Sequence, residues 1–183
     1  MFRFISLKVI SKIFLGIGLI TLGTALLLAW KPKGETDYVS AIPQVVNYPA
    51  PDLNLTSLQG EPVSLSAVRT NVVLVNLWAT WCPPCKAEMP VLESFYKANE
   101  ELGFLVIGVN DGESMTLVKK FTIDYDLSFP IWLDPSFKTE RAFGTINLPS
   151  SYVVDRQGVV RLSWVGAVKY DVLDEYVTPI ILE

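Results

Sequence analysis

"WATWCPPCKAEMP", Trp78 to Pro90, holds both cysteines of a 183-residue chain. Just upstream, "NVVLVNLWA" (Asn71 to Ala79) is a continuous apolar run rich in valine, the pattern of a central strand buried on both faces. A helix is expected to start at or near Cys82 and to run to about Leu102. Cys82 would then sit where a buried strand ends and a helix begins. A helix N-terminus carries roughly +0.5 charge and unsatisfied N–H groups, and both favour a thiolate. Cysteines in such C-x-x-C settings can fall to about 3.5–7.5 from a free value near 8.5. Cys82 is the expected exposed nucleophile. Cys85, about one turn in, is expected to be shielded and to resolve a mixed disulfide. Pro84 tolerates its missing N–H in the first turn, where that donor has no helical partner. Pro83 adds rigidity and deletes a donor near the sulfur, so the Cys82 pKa is expected to be moderately lowered. Pro90, inside the helix, is expected to kink it.

Other uses of the pair narrow by chemistry. A c-type haem site needs C-x-x-C-H, and Lys86 follows Cys85. The chain has no histidine, so Cys–His and Ser–His dyads and His-containing metal sites are excluded. Structural zinc usually needs four ligands, which two cysteines supply only if two copies share the metal. A purely structural staple would close too small a loop to stabilise much. A copper chaperone remains as an alternative, since soft thiolates suit Cu(I). A thiol peroxidase is another, although Thr80 lies two residues before Cys82 and not three.

The net charge is −4, with 15 basic and 19 acidic residues and no long basic run, which argues against nucleic-acid binding. Arg3, Lys8 and Lys12 stand at the N-terminus with no acid among them. From Ile13 to Trp30 there are 18 residues without charge. As a helix they span roughly 27 Å, close to the thickness of a bilayer core. Trp30, Lys31 and Lys33 suit the far interface, and the positive-inside bias puts the N-terminus in the cytoplasm. The organisation expected is a basic N-terminus over 1–12, a transmembrane anchor over 13–30, a proline-containing linker over 31–50 and a globule over 51–183. A cleaved signal peptide is the rival reading, and either one exports the globule. Thr21, Ala25 and Ala29 form a small-xxx-small ridge.

After Pro51 the pattern alternates between strands and helices. "LNLTSLQGEPVSL" reads as a hairpin turning at Gln59–Gly60. "FLVIGVN" (Phe104 to Asn110) is a second buried strand, Ser114 to Tyr125 an amphipathic helix, "FPIWLD" a short strand, and Ser136 to Phe143 a helix stopped by Gly144. "SYVVD" and "VVRLSWVG" flank a turn at Arg156–Gln157–Gly158, and Asp171 to about Leu182 closes the chain as a helix. Helix-linked strands imply a parallel pair, and the late hairpin an antiparallel edge. The fold class expected is α/β, with a mixed central sheet flanked by helices.

"WATWCPPCKAEMP" resembles the thioredoxin-like active site, and most closely the TlpA/ResA-like membrane-anchored thiol–disulfide oxidoreductases, to which CcmG-type cytochrome c maturation proteins are related. The likeness covers about Ala50 to Glu183. It rests on the tryptophan before C-x-x-C, on Pro90 five residues after Cys85, and on "LPSSYVVDRQG", whose Pro149 matches a cis-proline of thioredoxin folds. The resemblance implies a redox-active Cys82–Cys85 pair. It also implies a substrate groove bordered by Trp81, Pro83, Pro84, Leu148 and Pro149, whose backbone pairs with an extended segment. Thioredoxin has a buried aspartate where this chain has Asn76. Some TlpA/ResA-like members carry a glutamate in a sequence similar to "VNDGES", so Glu113 is the expected catalytic acceptor of the Cys85 proton. Trp78 is expected in the core, and Lys86 on a solvated helix face. No cofactor or metal is implied. The implied function is an extracytoplasmic reductant of protein disulfides, in apocytochrome c or copper-site proteins, recharged by a membrane electron-donor protein. The direction of transfer is left open, because relevant potentials span about −270 to −120 mV.

Overall fold

In the computed structural model, which describes residues 40–183, the run Val72–Trp78 forms strand β4, and all seven of its side chains are buried. Alternation along this strand divides the core. Val72, Leu74 and Trp78 point to one face, where they meet Met89, Leu92, Phe95, Phe121 and both cysteines. Val73, Val75 and Leu77 point to the other, where they meet Leu53, Leu65, Ile107, Trp132 and Tyr152. Each such side chain contributes about 1.5–3 kcal/mol when fully buried.

The other strands are β1 (Gln44–Pro49), β2 (Asn54–Ser57), β3 (Pro62–Ser64), β5 (Phe104–Asp111), β6 (Ile131–Asp134), β7 (Ser150–Val154) and β8 (Val159–Val165). They form one sheet in the order β1-β8-β7-β4-β5-β6-β2-β3. The pairs β4–β5 and β5–β6 are parallel, and the remaining neighbours are antiparallel. Helix α1 (Pro83–Asn99) links β4 to β5, and α2 (Met115–Asp124) links β5 to β6. Helix α3 (Lys138–Phe143) precedes β7, while α4 (Tyr170–Tyr176) and α5 (Thr178–Ile181) follow β8.

Gly108 shows how tightly the sheet and its cover meet. A Cβ there would lie 2.8 Å from Ile131 Cδ1 and 3.0 Å from Trp78 Nε1. Only glycine lets the Trp78 ring lie across β5, just below the turn that carries the cysteines.

The structure corrects three expectations. The stretch 31–50 does not remain a linker to its end: Gln44–Pro49 adds β1 to β8, with Val46 and Tyr48 packed on the second core. A short strand flanked by Pro43 and ending at Pro49 carries little periodic signal, and prolines are tolerated at a sheet edge. For the same reason the β7–β8 hairpin is not the edge, because β1 covers β8 and β7 lies beside β4. The closing helix is two helices, broken where Pro179 removes a backbone donor and restricts Thr178 before it. The anchor expected over 13–30 lies outside the described residues. Among the described residues, no helix is long and apolar enough to cross a membrane.

Candidate redox site

At the end of β4 the chain turns through Ala79, Thr80 and Trp81, and the Cys82 N–H donates to the Ala79 carbonyl at 3.2 Å. Cys82 is extended (φ −84°, ψ 110°) and is the residue capping α1. Its Sγ accepts the Cys85 N–H at 3.3 Å, so the sulfur takes the place that a serine or aspartate oxygen takes in an ordinary cap. Pro83 and Pro84 occupy the first two helical positions, where no donor is needed. The helix runs on past Pro90, which is exposed.

Cys82 and Cys85 are joined in a disulfide. Cys85 is fully buried, as expected. Cys82 is not the exposed partner in this oxidised form, since only 2% of it is accessible. Its sulfur is bonded to that of Cys85. Around the pair, Trp81 is 66% exposed, Pro83, Pro84 and Lys86 are exposed, and Trp78 is buried.

The Leu148–Pro149 bond is cis. Ser150 pairs with Leu77, so Pro149 stands at the end of the sheet where β4 gives way to the cysteine turn. Leu148 packs against the same core cluster as Cys82 and Cys85. The Pro149 carbonyl accepts the Gly166 N–H at 2.8 Å.

Glu113 is half-buried, and its hydrogen bonds tie two loops together. Its carboxylate accepts the Thr80 N–H at 2.7 Å, the Thr80 hydroxyl at 2.5 Å and Asn110 Nδ2 at 2.8 Å. Neither cysteine is among its hydrogen-bond partners. Upstream, burial pushes Asp111 up to about 7, and the carboxylates of Glu140, Asp134 and Glu113 add to the shift.

The residue that sequence reasoning missed is Glu88. It lies one turn beyond Cys85 on the same face of α1 and is fully buried. Asn76 Nδ2 donates to its Oε1 at 2.8 Å and the Val168 N–H to its Oε2 at 3.3 Å. Burial pushes its pKa up to about 8, against the pull of those two bonds. A carboxyl group with that pKa is mostly protonated at neutral pH and ionised in a minor fraction. Asn76 also donates to Ser151 Oγ at 3.0 Å, and its Oδ1 is buried with no partner. Turning that amide over presents the orphaned oxygen to the O–H of a neutral Glu88. The available signal was helical position: Glu88 falls in the buried row with Cys85, Met89 and Leu92, where a solvated glutamate does not belong.

Among the described residues, no group of three or more His, Cys, Asp or Glu side chains is arranged to hold a metal ion. A groove of about 770 Å3 lies elsewhere, along β2, β3 and β6 with Leu105, Ile107 and Lys138 in its lining.

Residues 46–163 match the AhpC/TSA family. The thiol–disulfide oxidoreductase ResA of Bacillus thuringiensis subsp. konkukian is 34% identical over 72% of this chain and 76% of its own length. The ResA of Geobacillus thermodenitrificans is 34% identical over 74% of this chain and 80% of its own. The crystal structure of a thiol:disulfide interchange protein of the thioredoxin family from Chlorobium tepidum superposes with a TM-score of 0.67 at 28% identity, covering 75% of this chain and 99% of that one. A thioredoxin-like sheet with a paired C-x-x-C at the head of its first long helix and relatives of this kind make the chain a disulfide oxidoreductase that belongs to the ResA-like branch of the AhpC/TSA family.

Proposed function

We propose that the protein is an extracytoplasmic, membrane-tethered reductant of protein disulfides, with Cys82 as nucleophile, Cys85 as resolving thiol and Glu88 as the acceptor of the Cys85 proton. The observation that carries this reading is the fully buried Glu88 one turn beyond Cys85, with a pKa of about 8 beside a thiol whose free value is about 8.5. A carboxyl group with a pKa this close to neutrality is partly ionised there, and that ionised fraction can accept a thiol proton as a general base.

In the reduced protein the Cys82 thiolate attacks one sulfur of a partner disulfide. The Cys82–partner bond forms, the partner S–S bond breaks, and the departing partner thiolate takes up a proton. With Glu88 in its ionised form, Cys85 passes its proton to that carboxylate and attacks the Cys82 sulfur, and the carboxyl group loses the proton again before the next cycle. The mixed disulfide breaks, the second partner thiolate leaves and is protonated, and the Cys82–Cys85 disulfide remains. Two electrons have passed to the partner, and a membrane electron-donor protein returns them.

Exposed Trp81, Pro83 and Pro84, with the Leu148–Pro149 backbone, supply the apolar border on which an extended partner segment lies. Glu113 serves this reading as a positioning residue: its bonds to Thr80 hold the turn from which Cys82 is presented. The clients are apocytochrome c or copper-site proteins, whose cysteines must be reduced before they bind haem or metal. The uncharged stretch Ile13–Trp30 and the basic residues before it support a single-pass anchor with the domain outside.

The test is a trap. Cys85→Ser is expressed in its native membrane, quenched with acid and alkylator, and the protein disulfide-linked to Cys82 is identified. A trapped apocytochrome or copper-site protein is expected. An empty trap, with wild-type protein unable to reduce a model disulfide but binding Cu(I) stoichiometrically, would turn the reading towards a copper chaperone. A membrane-impermeant thiol reagent applied to intact cells should label the reduced protein, and failure to do so places the domain inside.

A further inference from the structure

Four residues after β8, Gly166 to Lys169, join the redox site to the segment that leads into β1. On one side, the Gly166 N–H donates to the Pro149 carbonyl at 2.8 Å and the Val168 N–H to Glu88 Oε2 at 3.3 Å. On the other, the Ala41 N–H donates to the Ala167 carbonyl at 2.8 Å. The Lys169 N–H donates to Ser40 Oγ at 2.9 Å, and that hydroxyl donates to the Ala41 carbonyl at 3.0 Å. A Cβ on Gly166, which has φ +103°, would lie 3.6 Å from the Ala41 Cβ, so the strap at 40–41 rests directly on the loop.

The Ala167 carbonyl and the Val168 N–H belong to one peptide group. That group is planar and rigid, and its C=O and N–H point in opposite directions. Ala41 therefore grips one end of the plane whose other end reaches Glu88. Rotating the plane to loosen one bond loosens the other. A bond to the carbonyl also polarises the group and strengthens the N–H as a donor. We infer that Ser40 and Ala41 are positioning residues for the redox centre: by fixing the Ala167–Val168 peptide they aim the Val168 N–H at Glu88 and set how readily that carboxyl group releases its proton.

The surroundings of Glu88 leave this bond room to matter. Beyond Val168 its hydrogen-bond partner is the neutral Asn76. On its own helix the titratable neighbours are Cys85, bonded to Cys82, and the exposed Lys86. β4 carries no titratable residue, and the one on β7, Tyr152, belongs to the opposite core. Lys169 is half-exposed, and Asp171 and Asp174 of α4 are exposed. An N–H donor stabilises the anion, so weakening it raises the carboxyl pKa.

This inference rests on the reading of Glu88 as the proton acceptor, and the experiment separates the two. In the full-length reduced protein, Glu88 protonation is followed by the infrared C=O stretch and thiol reactivity by alkylation, both against pH. Wild type is compared with Ala41→Pro, which deletes the N–H, with Ser40→Ala, and with Glu88→Gln. Val45→Ala, at an exposed site on β1, is the control. Ala41→Pro should move the Glu88 inflection upward by roughly 0.5–1 pH unit, the scale of one lost hydrogen bond to the charged form. Ser40→Ala should move it less in the same direction, and Val45→Ala should leave it in place. Unmoved inflections in both strap variants, or an equal shift in Val45→Ala, would overturn the strap alone. Survival of the wild-type inflection in Glu88→Gln would overturn the reading of Glu88, and the strap with it.

Discussion

Glu88 and Glu113 stand on either side of the same cysteine turn, and their surroundings differ in kind. Glu113 is half-buried and accepts three hydrogen bonds, two from Thr80 and one from Asn110. Glu88 is sealed, with two neutral N–H donors and no cation beside it among the described residues, and its pKa is pushed up to about 8. The contrast teaches that loss of water, more than the number of local bonds, decides which carboxyl group can trade protons with a thiol. Under the proposed reading, Glu113 holds the turn and Glu88 takes the proton of Cys85.

The largest effect that sharpens this contrast is on turnover. Glu88→Gln keeps shape and hydrogen bonding, since the Asn76 amide can turn to meet the new amide. It removes the proton acceptor, and disulfide reduction should slow by on the order of 100-fold, the lower range for a lost general base. Glu113→Gln should slow it by less than about tenfold, with the pH profile of Cys85 alkylation unchanged. Steady-state reduction of a model protein disulfide by the two variants checks this. Equal losses, or a profile that moves only in Glu113→Gln, would return the proton to Glu113.

Stability against pH is the second test. The folded pKa of Glu88 lies above its unfolded value, so the folded protein binds more protons between the two. The stability this group contributes is full below about pH 4.5 and is lost as pH rises through about 8. In Glu88→Gln that decline should vanish, leaving the variant more stable than wild type in alkali. Urea midpoints of the oxidised protein at about pH 5 and about pH 9 measure it. Parallel curves for wild type and variant would show that Glu88 is not titrating in this range.

Much of this could be read in the sequence, and what could not has a common cause. The continuous valine-rich run located β4, because a short apolar run rich in β-branched residues suits a strand covered on both faces. The C-x-x-C and its prolines located the helix start, because cap chemistry is local. β1 escaped because its evidence is a partner more than 100 residues away, as in Gln44 opposite Ser163. Glu88 escaped because glutamate is read as solvated by type, and only the row it shares with Cys85 and Leu92 argues otherwise. The exposed Cys82 expected of a nucleophile is buried in the disulfide-bonded form, because its exposure depends on how the turn packs around it, which a sequence does not carry.

The turn side of the comparison breaks by a smaller amount. Thr80→Val deletes the hydroxyl bonded to Glu113, and Glu113→Gln sets an amide donor against the Thr80 or Asn110 donors. Each should destabilise the domain by about 1–3 kcal/mol, the penalty for leaving a partly buried polar group unmatched. If the two act through one contact, the double variant loses little more than either single one. Full additivity in thermal melts would separate Thr80 from Glu113.

The smallest effect expected belongs to Lys86, which is next to Cys85 in sequence and exposed. Its charge is as close along the chain as any to the redox pair. If proximity alone set thiol reactivity, Lys86→Gln would rival Glu88→Gln. An exposed charge is screened by water and salt, with a Debye length of about 8 Å at physiological ionic strength. Lys86→Gln should therefore change the Cys82 alkylation rate by less than about twofold in physiological salt, and the difference should shrink as salt is added. A tenfold change that persists in high salt would mean that the ammonium folds onto the reduced pair, and that burial is not what separates the working charge from the idle one.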